Sequence, residues 1–479
     1  MKTEVMKMVN EHYINGRFVA SHGTEVMDII NPASGAVIGQ VTLGDEEDAR
    51  SAIRAAKSAF KTYAGSSLEQ RGRYLQQLHD AIIARADEHI AIRTEEYGGV
   101  AQHSQFSIAG AAKVFLNMRK SLGEIVFSKR LGAAEVVLRP LGVAALITPW
   151  NSALFMVCNK LAPALAAGCT VVIKSSELSA LQIRLLMECV DAAGLPPGVV
   201  NIVHGRGEVV GNELTLHPDV AKVSFTGSTA VGKRVMRNAA DTMKRVTLEL
   251  GGKSAHIILD DADLGLAIPF ALACGFMNNG QACIAGSRIL VPEHKLPAVK
   301  AALLEGMKKW IAGPPAQAAT ALGPLVSQRQ FERVQHYIRK GIEDGAQVLV
   351  GGEGKPPGLE AGHFVKPTIF VNVSNDMRIA REEIFGPVLA VIGYRSEEEA
   401  IEIANDTPYG LQGWISTADP QRGRRIAGRI EAGMVMVNRV YDLLDDAGAP
   451  AGGFKQSGIG REFGVYGIGE YLEPQSIFA

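Results

Sequence analysis

Only five cysteines occur in 479 residues, Cys158, Cys169, Cys189, Cys274 and Cys283, an odd number without a Cys-x-x-Cys pair. That count and spacing oppose a disulfide framework, and a reducing compartment, the cytoplasm, is expected. Excess charge of either sign is also lacking: 49 Lys and Arg against 50 Asp and Glu leave a formal net charge of -1, with no Lys/Arg run interleaved with aromatics. Nucleic-acid binding therefore has no electrostatic support. The stretch from Leu141 to Ile173 is mostly apolar, yet Pro149, Trp150-Asn151, Asn159-Lys160 and Pro163 punctuate it. A buried strand, turn, helix and strand fits it better than a bilayer span, so no membrane partner is expected. Met1–Lys7 lacks an apolar h-region, and export is not expected. Internal repeats and low-complexity segments are missing too, and no metal site is expected.

What is present is an ordered globular composition: 47% hydrophobic and 21% charged residues, with 52 glycines spread along the chain. At about 150 residues per domain, two or three domains are expected. Apolar β-branched runs alternate with helical patterns: strands at Val143–Ile147, Thr170–Ile173, Val199–Val203 and Ala221–Phe225, helices near Ala180–Ala193 and from Ser228. Such alternation predicts an α/β fold with a parallel sheet covered on both faces. A second unit follows, with strand Ala255–Leu259, helix Leu264–Asn279, a turn at Cys283 and strand Ser287–Val291. Glu124–Arg139 reads as a strand pair interrupting the first domain, and the tail Gly467–Phe478 reads as strand. Two glycine turns follow strands, Gly205-Arg206-Gly207 through Gly211 and Phe225-Thr226-Gly227-Ser228. The first only approaches dinucleotide spacing; the second places a glycine before a helix N-terminus, which favours anionic oxygen.

Two side chains carry chemistry that fits one reaction. Cys283, in Gly280-Gln281-Ala282-Cys283, is a thiol able to attack carbonyl carbon, and Glu249, 34 residues earlier in Leu248-Glu249-Leu250-Gly251-Gly252-Lys253, is a carboxylate able to activate water. Taken with Ile147-Thr148-Pro149-Trp150-Asn151, Lys174-Ser175-Ser176-Glu177, Glu382-Glu383-Ile384-Phe385-Gly386-Pro387 and Gly452-Gly453-Phe454-Lys455-Gln456-Ser457-Gly458, these motifs make the chain resemble the NAD(P)-dependent aldehyde dehydrogenase superfamily from about Ile30 to Gln475.

The resemblance implies two Rossmann-type parallel-sheet domains plus a small β oligomerisation element: residues 1–121 and 141–252 for NAD, 253–456 for catalysis, 122–140 and 457–479 for association as a homodimer or homotetramer. It makes Cys283 the nucleophile that forms a thiohemiacetal and then a thioester, and Glu249 the base for hydrolysis. Asn151 becomes an oxyanion donor, with Lys160 and Glu462 as a relay from the base to solvent. For the cofactor it implies Ile147, Thr148, Pro149, Trp150, Lys174, Ser176, Glu177, Gly207, Gly227, Ser228, Leu250, Gly251, Gln330, Glu383 and Phe385. Glu177 can accept hydrogen bonds from ribose hydroxyls but repels a 2′-phosphate, which favours NAD over NADP.

Departures from the family pattern concern substrate. Ser152, Asn159 and Ala451 stand where relatives often carry aromatic residues, and Ser175 replaces a usual proline. With Phe155, Met156 and Ile284 they outline an expected substrate pocket, roomy enough for a bulky or aromatic aldehyde unless Phe155, Met156, Tyr441, Leu443 or Leu444 refill it. Asp442, Asp445 and Asp446 form either a solvated acidic loop or an attractor for a cationic amino-aldehyde. Alternatives to free-acid release are a CoA-acylating semialdehyde dehydrogenase, which Glu249 opposes, a cysteine esterase without redox chemistry, and a non-catalytic binding protein.

Overall fold

Mostly apolar runs become strands buried on both faces: every residue of Val143–Ile147 and Thr170–Lys174 is buried. The computed structural model describes residues 6–441 and 446–479, and among these the strands form four sheets. The largest runs in the order Gly458–Ile459, Arg245–Glu249, Val220–Thr226, Val143–Ile147, Thr170–Lys174, Val200–Ile202, Glu11–Ile14, Arg17–Ala20. Its central strands, from Arg245–Glu249 to Val200–Ile202, are parallel, and antiparallel strands close both edges. The chain leaves Val143–Ile147 toward one edge and returns on its other side as Val220–Thr226, so the order reverses there. A crevice opens at such a reversal, at the carboxyl ends of the strands.

The second large sheet orders Gln347–Val350, Thr368–Val371, Val388–Tyr394, Arg288–Pro292, Ala255–Ile258, Gln412–Ser416 and Met434–Val437, parallel after its first pair. Each large sheet has an apolar core on each face. A three-stranded antiparallel sheet joins Ser128–Leu131, Ala134–Pro140 and Leu472–Phe478, and Ser128–Leu131 is exposed throughout. Another pairs Lys7–Val9, Val37–Leu43 and Glu25–Ile30. Among the described residues no helix is long and apolar enough to cross a membrane.

Pro163 lies inside the helix Ala153–Ala167, and burial of nearly the whole helix offsets the lost hydrogen bond. Two local readings change. The helix from Leu264 stops at Phe276, because Asn278 and Asn279 adopt left-handed backbone at φ 52° and 61°. Asparagine tolerates that region better than most residues. The tail is not all strand. Gly464–Gly469 is a short helix whose Ile468 is buried in the first core, and the strand begins at Leu472.

Candidate active site

The loops leaving four adjacent parallel strands of the large sheet border one cleft, with a volume of about 470 Å³. Pro149, Trp150 and Asn151 follow Val143–Ile147, and Ser176 and Glu177 follow Thr170–Lys174. Gly227 and Ser228 follow Val220–Thr226; Leu250 and Gly251 follow Arg245–Glu249. Opposite them stand Glu383, Phe385 and Gln330, and Cys283 also lines the cleft. The strand-end residues and the thiol, distant in sequence, thus share one space.

The remaining residues read as cofactor contacts lie around this wall. Ile147, Thr148 and Lys174 are buried, Thr148 Oγ1 donating to Ser175 Oγ at 3.1 Å and Lys174 Nζ lying 3.5 Å from Glu177 Oε2. Burial holds the Lys174 ammonium below its usual range, with Glu177 opposing. Gly207 sits in the neighbouring helical turn Gly207–Gly211, where an added Cβ would meet nothing within 4 Å. Leu178, Thr226, Ser327, Arg329 and Arg333 also line the cleft and were not singled out from sequence. Thr226 Oγ1 is buried without a partner, and Ser228 caps the helix Thr229–Ala240 by accepting from Val231 N. An unpaired hydroxyl beside a helix N-terminus fits a ligand rich in phosphate and hydroxyl oxygens.

Glycine is required where two loops meet. A Cβ on Gly252 would overlap the Cys283 carbonyl oxygen, and one on Gly251 would stand 2.7 Å from Glu383 Oε2. Gly252 N donates to Glu383 Oε1 at 3.0 Å, so the turn after Glu249 holds both the thiol loop and the Glu383 carboxylate. Burial raises Glu383 above the usual carboxylate range. Phe385 takes φ 64° and sets its ring edge-on to Trp150 at 5.4 Å; Gln330 Nε2 donates to its carbonyl at 2.7 Å.

Burial, then the charges of Glu383 and Glu249, push the Cys283 thiol up to about 12, while the backbone N–H groups of Cys283 and Ile284 pull the other way. Glu249 ends its strand with Oε1 buried and unpartnered. Burial and the charge of Glu462 raise it well above the usual carboxylate range, against Lys160 and Arg461. Lys160 Nζ meets Glu462 Oε1 at 2.6 Å and Ser224 Oγ at 3.2 Å.

Asn151 is buried, and its Nδ2 donates to the Gln281 carbonyl at 3.0 Å, which leaves the second amide hydrogen for an oxyanion. Its own carbonyl accepts from Asn278 Nδ2 at 2.7 Å, and Asn278 Oδ1 accepts from the fully buried Arg93 at 2.7 Å. Arg93 also donates to Ser104 Oγ at 2.7 Å and lies over the Tyr97 ring at 4.9 Å. This support was not read from sequence. The Asn278-Asn279-Gly280 run was its one local signal, since those residue types tolerate left-handed backbone.

On the substrate side, Ser152 precedes the helix Ala153–Ala167, which carries Phe155, Met156 and Asn159 on the same face at helical spacing. Phe155 packs on Phe463 at 6.5 Å, and Phe463 stacks on Tyr441 at 5.6 Å. Phe155, Phe463 and Tyr441 therefore form one aromatic wall, and none of Ser152, Phe155, Met156, Asn159, Ile284 and Ala451 lines the cleft itself. Ala451 is buried and pairs its backbone with Glu462 in both directions, at 3.0 and 2.8 Å, and the Ile284 carbonyl accepts from Trp414 Nε1 at 3.1 Å. Asp446 is paired with Arg439 at 2.6 Å; Asp442, Leu443, Leu444 and Asp445 lie outside the described residues.

A family model, the aldehyde dehydrogenase family, matches residues 18–477. The chain belongs to that family. Among curated aldehyde dehydrogenase relatives, a 3-succinoylsemialdehyde-pyridine dehydrogenase of Pseudomonas sp is 44% identical over 474 residues, 98% of this chain and 99% of the relative. A mutant of aldehyde dehydrogenase C (AldC) from Pseudomonas syringae, complexed with NAD+ and octanal, superposes with a TM-score of 0.96 at 41% identity, covering 98% of this chain and 96% of that one. Betaine aldehyde dehydrogenase from Staphylococcus aureus with NAD+ superposes at 0.94 with 37% identity, over 98% of this chain and 94% of that one. As an aldehyde dehydrogenase, the chain is an oxidoreductase acting on aldehydes, built on the α/β fold that its motifs imply.

Proposed function

We propose that this aldehyde dehydrogenase uses NAD to oxidise an aldehyde with a bulky or aromatic body, releasing the free carboxylic acid. The observation that carries the reading is the placement of Cys283 and Asn151 in the same cleft as the strand-end turns. Bound there, NAD supplies the hydride acceptor. The Gly227-Ser228 turn would hold phosphate oxygen, Glu177 the adenosine ribose hydroxyls, and Glu383 the second ribose, with Phe385 and Trp150 flanking the ring. Cys283 Sγ attacks the aldehyde carbon while Asn151 Nδ2 and the Cys283 N–H take up the oxyanion. After oxidation the acyl group remains on Cys283 as a thioester. Glu249 removes a proton from the attacking water, and Lys160 and Glu462 connect it to solvent.

The wall of Phe155, Phe463 and Tyr441 supports an apolar or aromatic substrate body, and the semialdehyde-pyridine relative agrees with that choice. The open edges of the Ser128–Leu131 and Leu472–Phe478 sheet, with Phe478 78% exposed, support association with a second copy, as a dimer or tetramer. The test is reduced-nicotinamide absorbance with NAD or NADP and a panel of aliphatic, aromatic and amino aldehydes. Higher kcat/KM for benzaldehyde-sized substrates than for acetaldehyde is expected; the reverse order would remove the substrate class.

Glu177 sets the expected cofactor choice. Its side chain is 25% exposed at the rim of the cleft, where it would oppose a 2′-phosphate. Glu177→Gln is expected to shift the ratio of kcat/KM values toward NADP by about tenfold, or ~1.4 kcal/mol, mainly through KM for NADP. An unchanged ratio would place the 2′ position elsewhere.

A further inference from the structure

Asn159 stands on the same helix face as Phe155, yet its amide faces away from an apolar role. It is 2% exposed, and its Nδ2 donates to Glu462 Oε2 while Lys160 Nζ donates to Glu462 Oε1 at 2.6 Å. Adjacent residues of one helix therefore supply donors to both oxygens of one carboxylate. Chemistry fixes the amide orientation, because an amide oxygen turned to a carboxylate would set acceptor against acceptor. Asn159 Oδ1 consequently points away, buried and unpartnered. The backbone of Glu462 is also fixed, by its paired hydrogen bonds with Ala451.

Glu249 lies within electrostatic reach of this arrangement. The charged groups that act on it are Glu462 and Glu470, which favour its protonated form, and Lys160 and Arg461, which favour the carboxylate. Glu249 also acts on the Cys283 thiol. Without the Asn159 donor, Glu462 Oε2 would be free to turn onto Glu249; the two carboxyl groups would then share one proton, and Glu249 would be lost as a base at neutral pH.

We propose that Asn159 is a positioning residue for thioester hydrolysis, holding the second oxygen of Glu462 so that this carboxylate stays against Lys160 rather than turning onto Glu249. The inference rests on the reading of Glu249 as the base. It makes the loss of an aromatic side chain at this position a change in the proton path as well as in pocket size.

The measurement is the pH dependence of kcat for aldehyde oxidation, with nucleotide-free hydrolysis of 4-nitrophenyl acetate in parallel. Asn159→Leu removes the donor at similar volume, and the isosteric Asn159→Asp replaces it with a further carboxylate. Both are expected to move the acidic limb upward by about half a pH unit or more in both assays, about threefold in proton affinity. A purely space-filling role would alter KM or thermal stability and leave the limb in place. If Asn159→Leu fails to fold, the isosteric variant carries the test. An unmoved limb in a folded variant overturns the role of Asn159. Wild-type protein that neither oxidises aldehydes nor hydrolyses the ester through Cys283 instead overturns the underlying reading.

Discussion

Cys283→Ala is expected to lower aldehyde oxidation by at least about 10⁴-fold while nucleotide binding persists. No other thiol can take its place: Cys158, Cys169, Cys189 and Cys274 are buried in the cores, and burial raises each of their pKa values. In the protein alone the Cys283 thiol is itself pushed up to about 12, so attack requires the environment to change. A cationic nicotinamide ring beside Cys283 would offset the charges of Glu383 and Glu249 that help keep the proton on sulfur. Alkylation of Cys283 by iodoacetamide should accordingly be slow at neutral pH, rise about tenfold per pH unit, and accelerate when NAD is added. Trp150 lines the cleft, so its fluorescence reports nucleotide binding by the variant. Oxidation retained within tenfold of wild type would exclude Cys283 as nucleophile.

Glu249→Gln is expected to lower kcat by about 10²–10⁴-fold while sparing the first turnover. Glutamine keeps the shape of the side chain and removes the base, so acylation proceeds and hydrolysis stalls. Rapid quenching followed by mass spectrometry should then find one acyl group on Cys283. Glu249 is raised well above the usual carboxylate range, so the ionised form of wild type is sparse in acid and grows as pH rises through that raised value. Wild-type turnover should climb with pH over that interval, and the variant should lack the climb. Fast hydrolysis by the variant, without an acyl adduct, would assign water activation to another group.

The parallel sheet, the strand-end turns and the order of the chemical motifs were legible because each depends on local sequence. Val143–Ile147 and Thr170–Lys174 announce double-sided burial by unbroken apolar runs, and Gly227 and Gly251 mark turns by residue type. What escaped depends on contacts between distant segments. Nothing beside Arg93 indicates that its guanidinium will support Asn278, 185 residues later. The Phe463 ring could not be placed against Phe155 without knowing that the C-terminal segment returns to the helix Ala153–Ala167. Asn159 was read by what it lacks relative to an aromatic side chain; its hydrogen bond to Glu462 becomes visible only when residues 303 apart are brought together.

The Arg93 connection also bears on how the enzyme comes into being. Arg93 lies on Ala86–Glu96, ahead of the parallel strands, whereas Asn278 and Gln281 belong to the segment that presents the thiol. The oxyanion pocket thus exists only after an early helix, the Asn151 turn and the thiol loop have met, and it is absent from any of them alone. Synthesis of the chain through Cys283 supplies all three segments, and the reactive centre awaits their docking. Chemical competence is a property of that assembly, not of the thiol loop by itself.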